Sequence, residues 1–292
     1  MDTRTRRLAC FAAVVGSLVI VPFAVAQELK LPNTGQVRFA VIGDMGTASR
    51  AQLEGGRQMS LFRQKFPFSF VITVGDNILG SETAADFKAK FEAPYAELLR
   101  AGVKFYASLG NHDNPEQRNY GPFSMGGQRY YTFRTSEGVR FFALDSNYLD
   151  AEQLAWLEKE LSSSDSAWKI AFFHHPLYSS GRTHGSSLDL RKVLEPLFVK
   201  YGVNVVFSGH DHIYERIKPQ RGISYFVAGS AGSLRKGDYR RPQAFSVTGY
   251  DRDFVFMLVE IDGPKLHFQA ITRTGQTVDL GVIENPKAAA QP

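Results

Sequence analysis

Short runs rich in Val, Ile, Phe and Tyr recur at 37–43, 69–75, 104–109, 129–135, 139–145, 168–173, 203–208, 223–229, 254–262 and 265–272. Such runs read as β-strands. Between several of them apolar residues return with a helical period, at 50–65, 83–101, 150–163 and 187–201. In the last of these, Leu190, Val193, Leu194, Leu197 and Phe198 share a face. Strand and helix therefore alternate through the first half and through 168–208, whereas 223–284 reads as strands alone. Two sheets packed together with helices outside accommodate both patterns. The expectation is one α/β domain over 27–284, a four-layer αββα sandwich of two mixed sheets.

The N-terminus has a pattern of its own. Arg4, Arg6 and Arg7 precede an uncharged stretch from Leu8 to Val25, which ends in Ala24-Val25-Ala26 before Gln27. That is the layout of a secretory signal peptide over 1–26. A stretch of roughly 18 apolar residues would also just span a bilayer as an uncleaved anchor, but Pro22 and the small-residue site favour cleavage. The expectation is an exported protein, periplasmic or secreted, with no membrane span after signal cleavage. The tail NPKAAAQP, 285–292, reads as disordered.

Composition narrows the chemistry. The single cysteine, Cys10, falls inside the signal region, so the remaining chain has no disulfide, thiol nucleophile or thiolate metal site. Any metal must be held by oxygen and nitrogen. The formal charge of +5 drops to +3 without residues 1–26, which carry three Arg and one Asp. The positive charges are dispersed and form no stripe that would track a nucleic-acid backbone. A small anionic substrate is compatible with this balance.

Candidate chemistry is concentrated where strands end. GDMG follows VRFAVI, GDN follows FVITV, GNHD follows KFYASL, HHP follows KIAFF and GHDH follows VNVVFS. In open α/β sheets ligands bind beyond the carboxyl ends of the strands, so five such tips can converge. Glycine precedes four of them, Gly43, Gly75, Gly110 and Gly209, and permits a sharp exit. Of seven histidines, His112, His174, His175, His210 and His212 lie at these tips and His184 in the loop after one, leaving only His267 inside a strand. Singly, a GD pair is a turn and a His beside Pro an ordinary packed side chain. Together, buried carboxylates gathered with imidazoles at successive tips repel one another and demand a compensating cation. The two histidines of GHDH, two apart in an extended segment, lie on one face. No GxSxG elbow of a serine hydrolase is present.

The ordered series GDMG, GDN, GNHD, FFHHPLY and GHDHIYER resembles the calcineurin-like metallophosphoesterases, and within them the purple and tartrate-resistant acid phosphatase branch, over about residues 37–230. The resemblance implies two β-sheets between helices and two metal ions. Asp76 would bridge them, Asp44 and His212 would hold the first, and Asn111, His174 and His210 the second. Two ions roughly 3.5 to 4 Å apart can share a hydroxide and align it with a phosphoester. The resemblance makes His112 the acid or phosphate stabiliser, places His184 on the substrate side and gives His175 no ligand role. Arg182, near His184, is suited to meeting phosphate bidentately. Asp113, Asp145, Asn147 and Asp211 read as groups that orient ligands. Tyr120, Phe123, Tyr130, Tyr131 and Tyr148 are candidate cleft walls, although core or cross-strand packing is the expectation for most of them.

The chain departs from the branch at two positions. Purple acid phosphatases carry a tyrosine, three residues after the bridging aspartate, whose phenolate binds ferric iron; here that residue is Leu79. The wider superfamily often has a histidine two residues after the first aspartate; here it is Gly46. The first ion therefore keeps Asp44, Asp76 and His212, unless a tyrosine such as Tyr148 or Tyr178 reaches in. Losing a phenolate disfavours a trivalent ion, so the expected cofactors are two divalent ions, iron, manganese or zinc, in a colourless enzyme. The expected activity is hydrolysis of small phosphomonoesters. A phosphodiesterase or nucleotidase with the same metals, or a catalytically weak metal-binding protein, is the alternative.

Overall fold

A computed structural model describes residues 28–240 and 243–289. Residues 1–27, and with them the expected signal peptide, lie outside the described residues. In chain order the first elements are β1 (Val37–Ile42), α1 (Arg50–Lys65), β2 (Phe70–Val74), α2 (Ala84–Phe87), α3 (Ala96–Arg100) and β3 (Lys104–Ser108). Next come β4 (Tyr131–Arg134), β5 (Arg140–Ala143), α4 (Ala151–Ser162), β6 (Lys169–Phe172), α5 (Leu188–Tyr201) and β7 (Val205–Ser208). The chain closes with β8 (Tyr214–Gln220), β9 (Ile223–Ala228), β10 (Ser246–Tyr250), β11 (Val255–Asp262), β12 (Lys265–Thr272), β13 (Thr277–Glu284) and the short α6 (Pro286–Ala289).

Two mixed sheets result, ordered β13-β12-β11-β1-β2-β3 and β10-β8-β9-β7-β6-β5-β4. The period-2 alternation of the strands sorts their side chains between layers. Val37, Phe39 and Val41 of β1 meet Phe141, Ile170, Phe172 and Phe207 of the other sheet in the central core. Ala40 and Ile42, on the opposite face, meet Met59 and Phe62 of α1. Phe142 and Ala171 face outward from the second sheet onto Leu157 and Leu161 of α4 and Leu194 and Phe198 of α5. The layers are helix, sheet, sheet, helix. Phe39 stacks on Phe70 with centroids 5.2 Å apart and meets Phe141 edge-on at 5.3 Å, locking the sheets together at their centre. Among the described residues no helix is long and apolar enough to cross a membrane.

Local signals account for the element ends. Ser49 caps α1 by accepting from Gln52 N–H at 3.2 Å, and Asp150 caps α4 by accepting from Gln153 N–H at 2.8 Å. Gly202, at φ 71°, ends α5. The helix expected over 83–101 is instead divided into α2, a π-turn over Lys88–Glu92 and α3. Pro94 lacks the N–H to continue the ladder, and the chain adapts with the wide Ala93 N–H to Lys88 carbonyl bond at 2.8 Å. Strand β8 is polar enough to escape hydrophobic periodicity, because its partners come from distant segments. Tyr214 Oη and Arg216 Nε each donate to Asp279 Oδ2 at 2.7 Å. At the start of the tail, Asn285 is buried, its Nδ2 donating to the Ala167 carbonyl at 2.8 Å, and Pro286–Ala289 form α6. Residues 290–292 lie outside the described residues.

Candidate metal centre

Strands β1, β2 and β3 run parallel in one sheet, and β5, β6, β7 and β9 in the other, so their carboxyl ends share an edge of the sandwich. Asp44, Asp76, Asn111, His174, His210 and His212 leave these tips, and hydrogen bonds join them across the seam. His210 N–H donates to Asp44 Oδ2 at 3.0 Å, and His174 Nδ1 donates to the Val74 carbonyl at 2.9 Å. Asp44, Asp76 and His210 adopt positive φ, 52°, 51° and 70°. Such backbone is costly for residues with side chains and is characteristic of functional sites.

Two constellations form. A carboxylate oxygen each from Asp44 and Asp76 and a ring nitrogen of His212 lie within 4.8 Å of one another. Beside it, His174 Nε2 is 2.9 Å from Asn111 Oδ1, 3.1 Å from His210 Nδ1 and 3.5 Å from Asp76 Oδ1. Because His174 Nδ1–H is committed to Val74, its Nε2 lone pair points into this second group. Asp76 touches both groups. Its Oδ1 is also held by the His112 N–H at 3.1 Å.

Electrostatics make the arrangement unfavourable without a cation. Burial, with the negative charge of Asp76 beside it, pushes the Asp44 carboxyl well above the usual carboxylate range, and burial raises Asp76. Burial, with neighbouring imidazoles, holds His174 well below its ordinary value and takes His210 down to about 2. Asp44 Oδ1 is buried with no hydrogen-bond partner among the described residues, although His212 Nε2 stands 3.3 Å away. Two lone-pair donors facing each other without a shared proton fit a cation between them. Carboxylate and amide oxygens with neutral imidazoles suit divalent first-row metals.

Gly46 has no room for the histidine found there in relatives of the wider superfamily, since a Cβ would stand 2.0 Å from the Asn77 carbonyl oxygen. Leu79 is half-buried, its N–H donating to the Gly46 carbonyl at 2.9 Å. Tyr178 donates its hydroxyl to Glu195 at 2.7 Å and stacks under Arg191, so it is committed away from the site. Beneath Asp76, Asp113 accepts from the N–H groups of Gly110, Asn77 and Ile78, and its carboxyl is pushed up to about 7 by burial and by Asp76. Asn147 Nδ2 donates to the Leu109 and Gly110 carbonyls at 3.2 Å, and Asp145 pairs with Arg129. These residues shape the loops that carry the candidate ligands.

On the solvent side His112 is exposed at the rim. The His184 ring lies 4.0 Å, centroid to centroid, from that of His210. Asp211 holds the His184 loop: its carboxylate accepts from the N–H of Gly185 at 3.0 Å, from that of His184 at 3.3 Å and from the Ser179 hydroxyl. Arg182 is exposed and anchored through its backbone N–H to the Asp238 carbonyl at 2.9 Å. His175 bonds Ser146 Oγ through Nδ1 at 2.9 Å. From Asn111 a cleft of about 390 Å³ runs past Asn147, Tyr148 and His175 to Leu190. Tyr148 is the one candidate wall residue that lines it; Phe123 and Tyr131 belong to the core packing instead, and Tyr120 bonds Glu92. Arg235, in the loop after β9, was not singled out by sequence. An arginine in a Gly/Ser-rich turn carries no pattern that marks it, yet its Nη1 is buried without a hydrogen-bond partner among the described residues.

Residues 37–214 match the profile of the calcineurin-like phosphoesterases. Tartrate-resistant acid phosphatase type 5 of the rabbit, Oryctolagus cuniculus, is 26% identical over 244 residues, which cover 69% of this chain and 74% of that protein. Among solved structures, purple acid phosphatase PPD1 from seeds of yellow lupin, Lupinus luteus, superposes with a TM-score of 0.70 at 21% identity, covering 89% of this chain and 56% of that one. GAP50, the anchor in the inner membrane complex of Plasmodium, gives a TM-score of 0.73 at 21% identity over 86% of this chain and 89% of that one.

Proposed function

The chain belongs to the calcineurin-like phosphoesterases, and from that premise we propose that it is an exported phosphatase that hydrolyses small phosphomonoesters with two divalent ions. It is a metallophosphoesterase related to acid phosphatases. In this reading Asp44, Asp76 and His212 hold one ion, and Asp76, Asn111, His174 and His210 the other. The ions, when bound, supply Lewis acidity toward phosphoryl oxygens and lower the pKa of water.

The protein's own groups do the rest. The His174 Nδ1 bond to Val74 keeps Nε2 free of a proton, and the bond from His112 N–H steadies Asp76 between the two groups. His112, exposed beside Asn111, is placed to give a proton to the departing alkoxide oxygen. His184, ordered by Asp211, stands on the substrate side, and the cleft beyond Asn111 has room for a small leaving group. Export rests on the signal-like residues 1–26.

The observation that carries this reading is His174 Nε2 standing 2.9 Å from Asn111 Oδ1 and 3.1 Å from His210 Nδ1, with Asp44 Oδ1 buried and without a hydrogen-bond partner among the described residues. Elemental analysis of the purified chain, joined to hydrolysis of matched phosphate monoesters and diesters, tests it. About two ions per chain and preference for the monoester are expected. A metal content near zero after loading would refute the centre, and preference for the diester would move the substrate class.

A further inference from the structure

The loop after β9 is built against the site. Ala231 N–H donates to the Gly43 carbonyl at 3.2 Å, just before Asp44, and Arg235 N–H donates to the His212 carbonyl at 3.1 Å. Farther along, Asp238 accepts from Thr183 Oγ1 at 2.6 Å, and Arg240 reaches the Gly181 carbonyl at 2.9 Å. The loop thus spans the gap between the metal-side residue His212 and the loop that carries His184. Arg235 sits in that gap.

Backbone bonds hold Arg235 in that gap: its N–H is tied to the His212 carbonyl at 3.1 Å, and its own carbonyl accepts from the N–H of Asp238 at 3.2 Å, the residue that holds Thr183 of the His184 loop. Nη1 is shut away from solvent and has no hydrogen-bond partner among the described residues. A buried guanidinium N–H left unmatched is expensive, and an anionic oxygen satisfies it best.

We propose that Arg235 is a phosphoryl-binding residue whose Nη1 donates to a non-bridging oxygen of the substrate between His212 and His184. The proposal rests on the phosphoesterase reading above for the identity of the anion. It gives Arg235 a position that the exposed side chain of Arg182 lacks. It also bears on Leu79: a fixed cation beside Asp44 and His212 adds positive charge where a divalent ion, unaided by a trivalent centre, would hold phosphate less strongly. The rival is an internal ion pair with Asp238, whose Oδ2 is likewise buried without a hydrogen-bond partner among the described residues.

Inorganic phosphate is the probe. Its affinity is measured by calorimetric titration of the metal-loaded full chain, alongside metal content, melting temperature and the KM and kcat for a phosphomonoester, in wild type, Arg235→Gln, Arg235→Lys, Arg182→Gln and Asp238→Asn. Losing one charge-assisted hydrogen bond should weaken phosphate binding about tenfold or more. The expected result is that loss in Arg235→Gln, partial recovery in Arg235→Lys, unchanged metal content and a much smaller effect in Arg182→Gln. Unaltered phosphate affinity in Arg235→Gln, with melting temperatures lowered alike in Arg235→Gln and Asp238→Asn, would establish the internal pair and overturn the proposal. Loss of metal in step with loss of phosphate would overturn it too. Because the titration needs no turnover, an inactive but phosphate-binding wild type would refute the enzymatic reading while leaving the role of Arg235 open to the same comparison.

Discussion

Gly110 is the position where one added methyl group tests the metal centre most directly. A Cβ there would stand 2.1 Å from Asp76 Oδ1, 2.2 Å from its backbone nitrogen and 2.9 Å from its Cγ, whereas ordinary contact begins at 3.4 Å. The difference requires a displacement of about 1.3 Å. The backbone cannot easily retreat, because Gly110 N–H is tied to Asp113 Oδ2 at 2.8 Å on the other side. The displacement therefore falls on Asp76 as a whole, backbone and carboxylate, and breaks its bond from His112 N–H. Metal–ligand distances tolerate only about 0.2 Å, and a misplacement of about 1 Å near the chemistry costs on the order of a hundredfold in rate. Overpacking costs roughly 1 to 3 kcal/mol, less than a typical domain stability of about 5 to 15 kcal/mol. Gly110→Ala should accordingly fold, bind fewer than two ions after dialysis and lose about a hundredfold in phosphomonoester turnover. Elemental analysis, initial rates and circular-dichroism melting report the three quantities. A folded variant with a full metal complement and wild-type turnover would refute the bridging position of Asp76.

Other consequences are equally open to measurement. In metal-free protein the raised carboxyls favour the protonated folded state, so their stabilising contribution is present at low pH and is lost as pH rises from the ordinary value of 3.8 through the raised ones, Asp113 at about 7 among them. The depressed imidazoles of His174 and His210 act in the opposite sense, their contribution being lost as pH falls below 6.5. The carboxyl effect is therefore read as the melting temperature of the metal-free wild type minus that of Asp44→Asn. This difference should fall across the window, and divalent metal should raise the wild type but not the variant; a difference independent of pH would contradict the burial argument. His112→Ala should slow esters with poor leaving groups at least about tenfold more than activated ones, and equal losses on both would exclude proton donation. With Leu79 in place of the phenolate, the iron-loaded protein should show no visible tyrosinate charge-transfer band, and absorption spectroscopy that found one would require another tyrosine at the metal.

Fold class was legible because its causes are local in sequence. Alternation in VRFAVI and FVITV places residues on two faces, and helical spacing in 187–201 places an apolar stripe on one. The three strands that lacked a clear run of their own, β8, β10 and β13, owe their pairing to partners elsewhere, as Tyr214 and Arg216 do to Asp279. The break at Pro94 could have been foreseen from the missing N–H. The π-turn that accommodates it could not.

What the sequence determined by itself was the inventory: which residue types stand at which strand tips, and that tyrosine is missing at 79 and histidine at 46. Hydrophobic period and the direction of parallel strands are enough for that, since each is written within a few residues. Tertiary structure alone decided how atoms from distant segments face each other, such as His210 N–H on Asp44, 166 residues away. It also decided that Gly46 has no space for a side chain, and that Nη1 of Arg235, whose backbone N–H is bonded to His212, is buried whereas Arg182 is exposed. Those outcomes depend on the docking of two sheets and on burial, and burial belongs to the assembled chain.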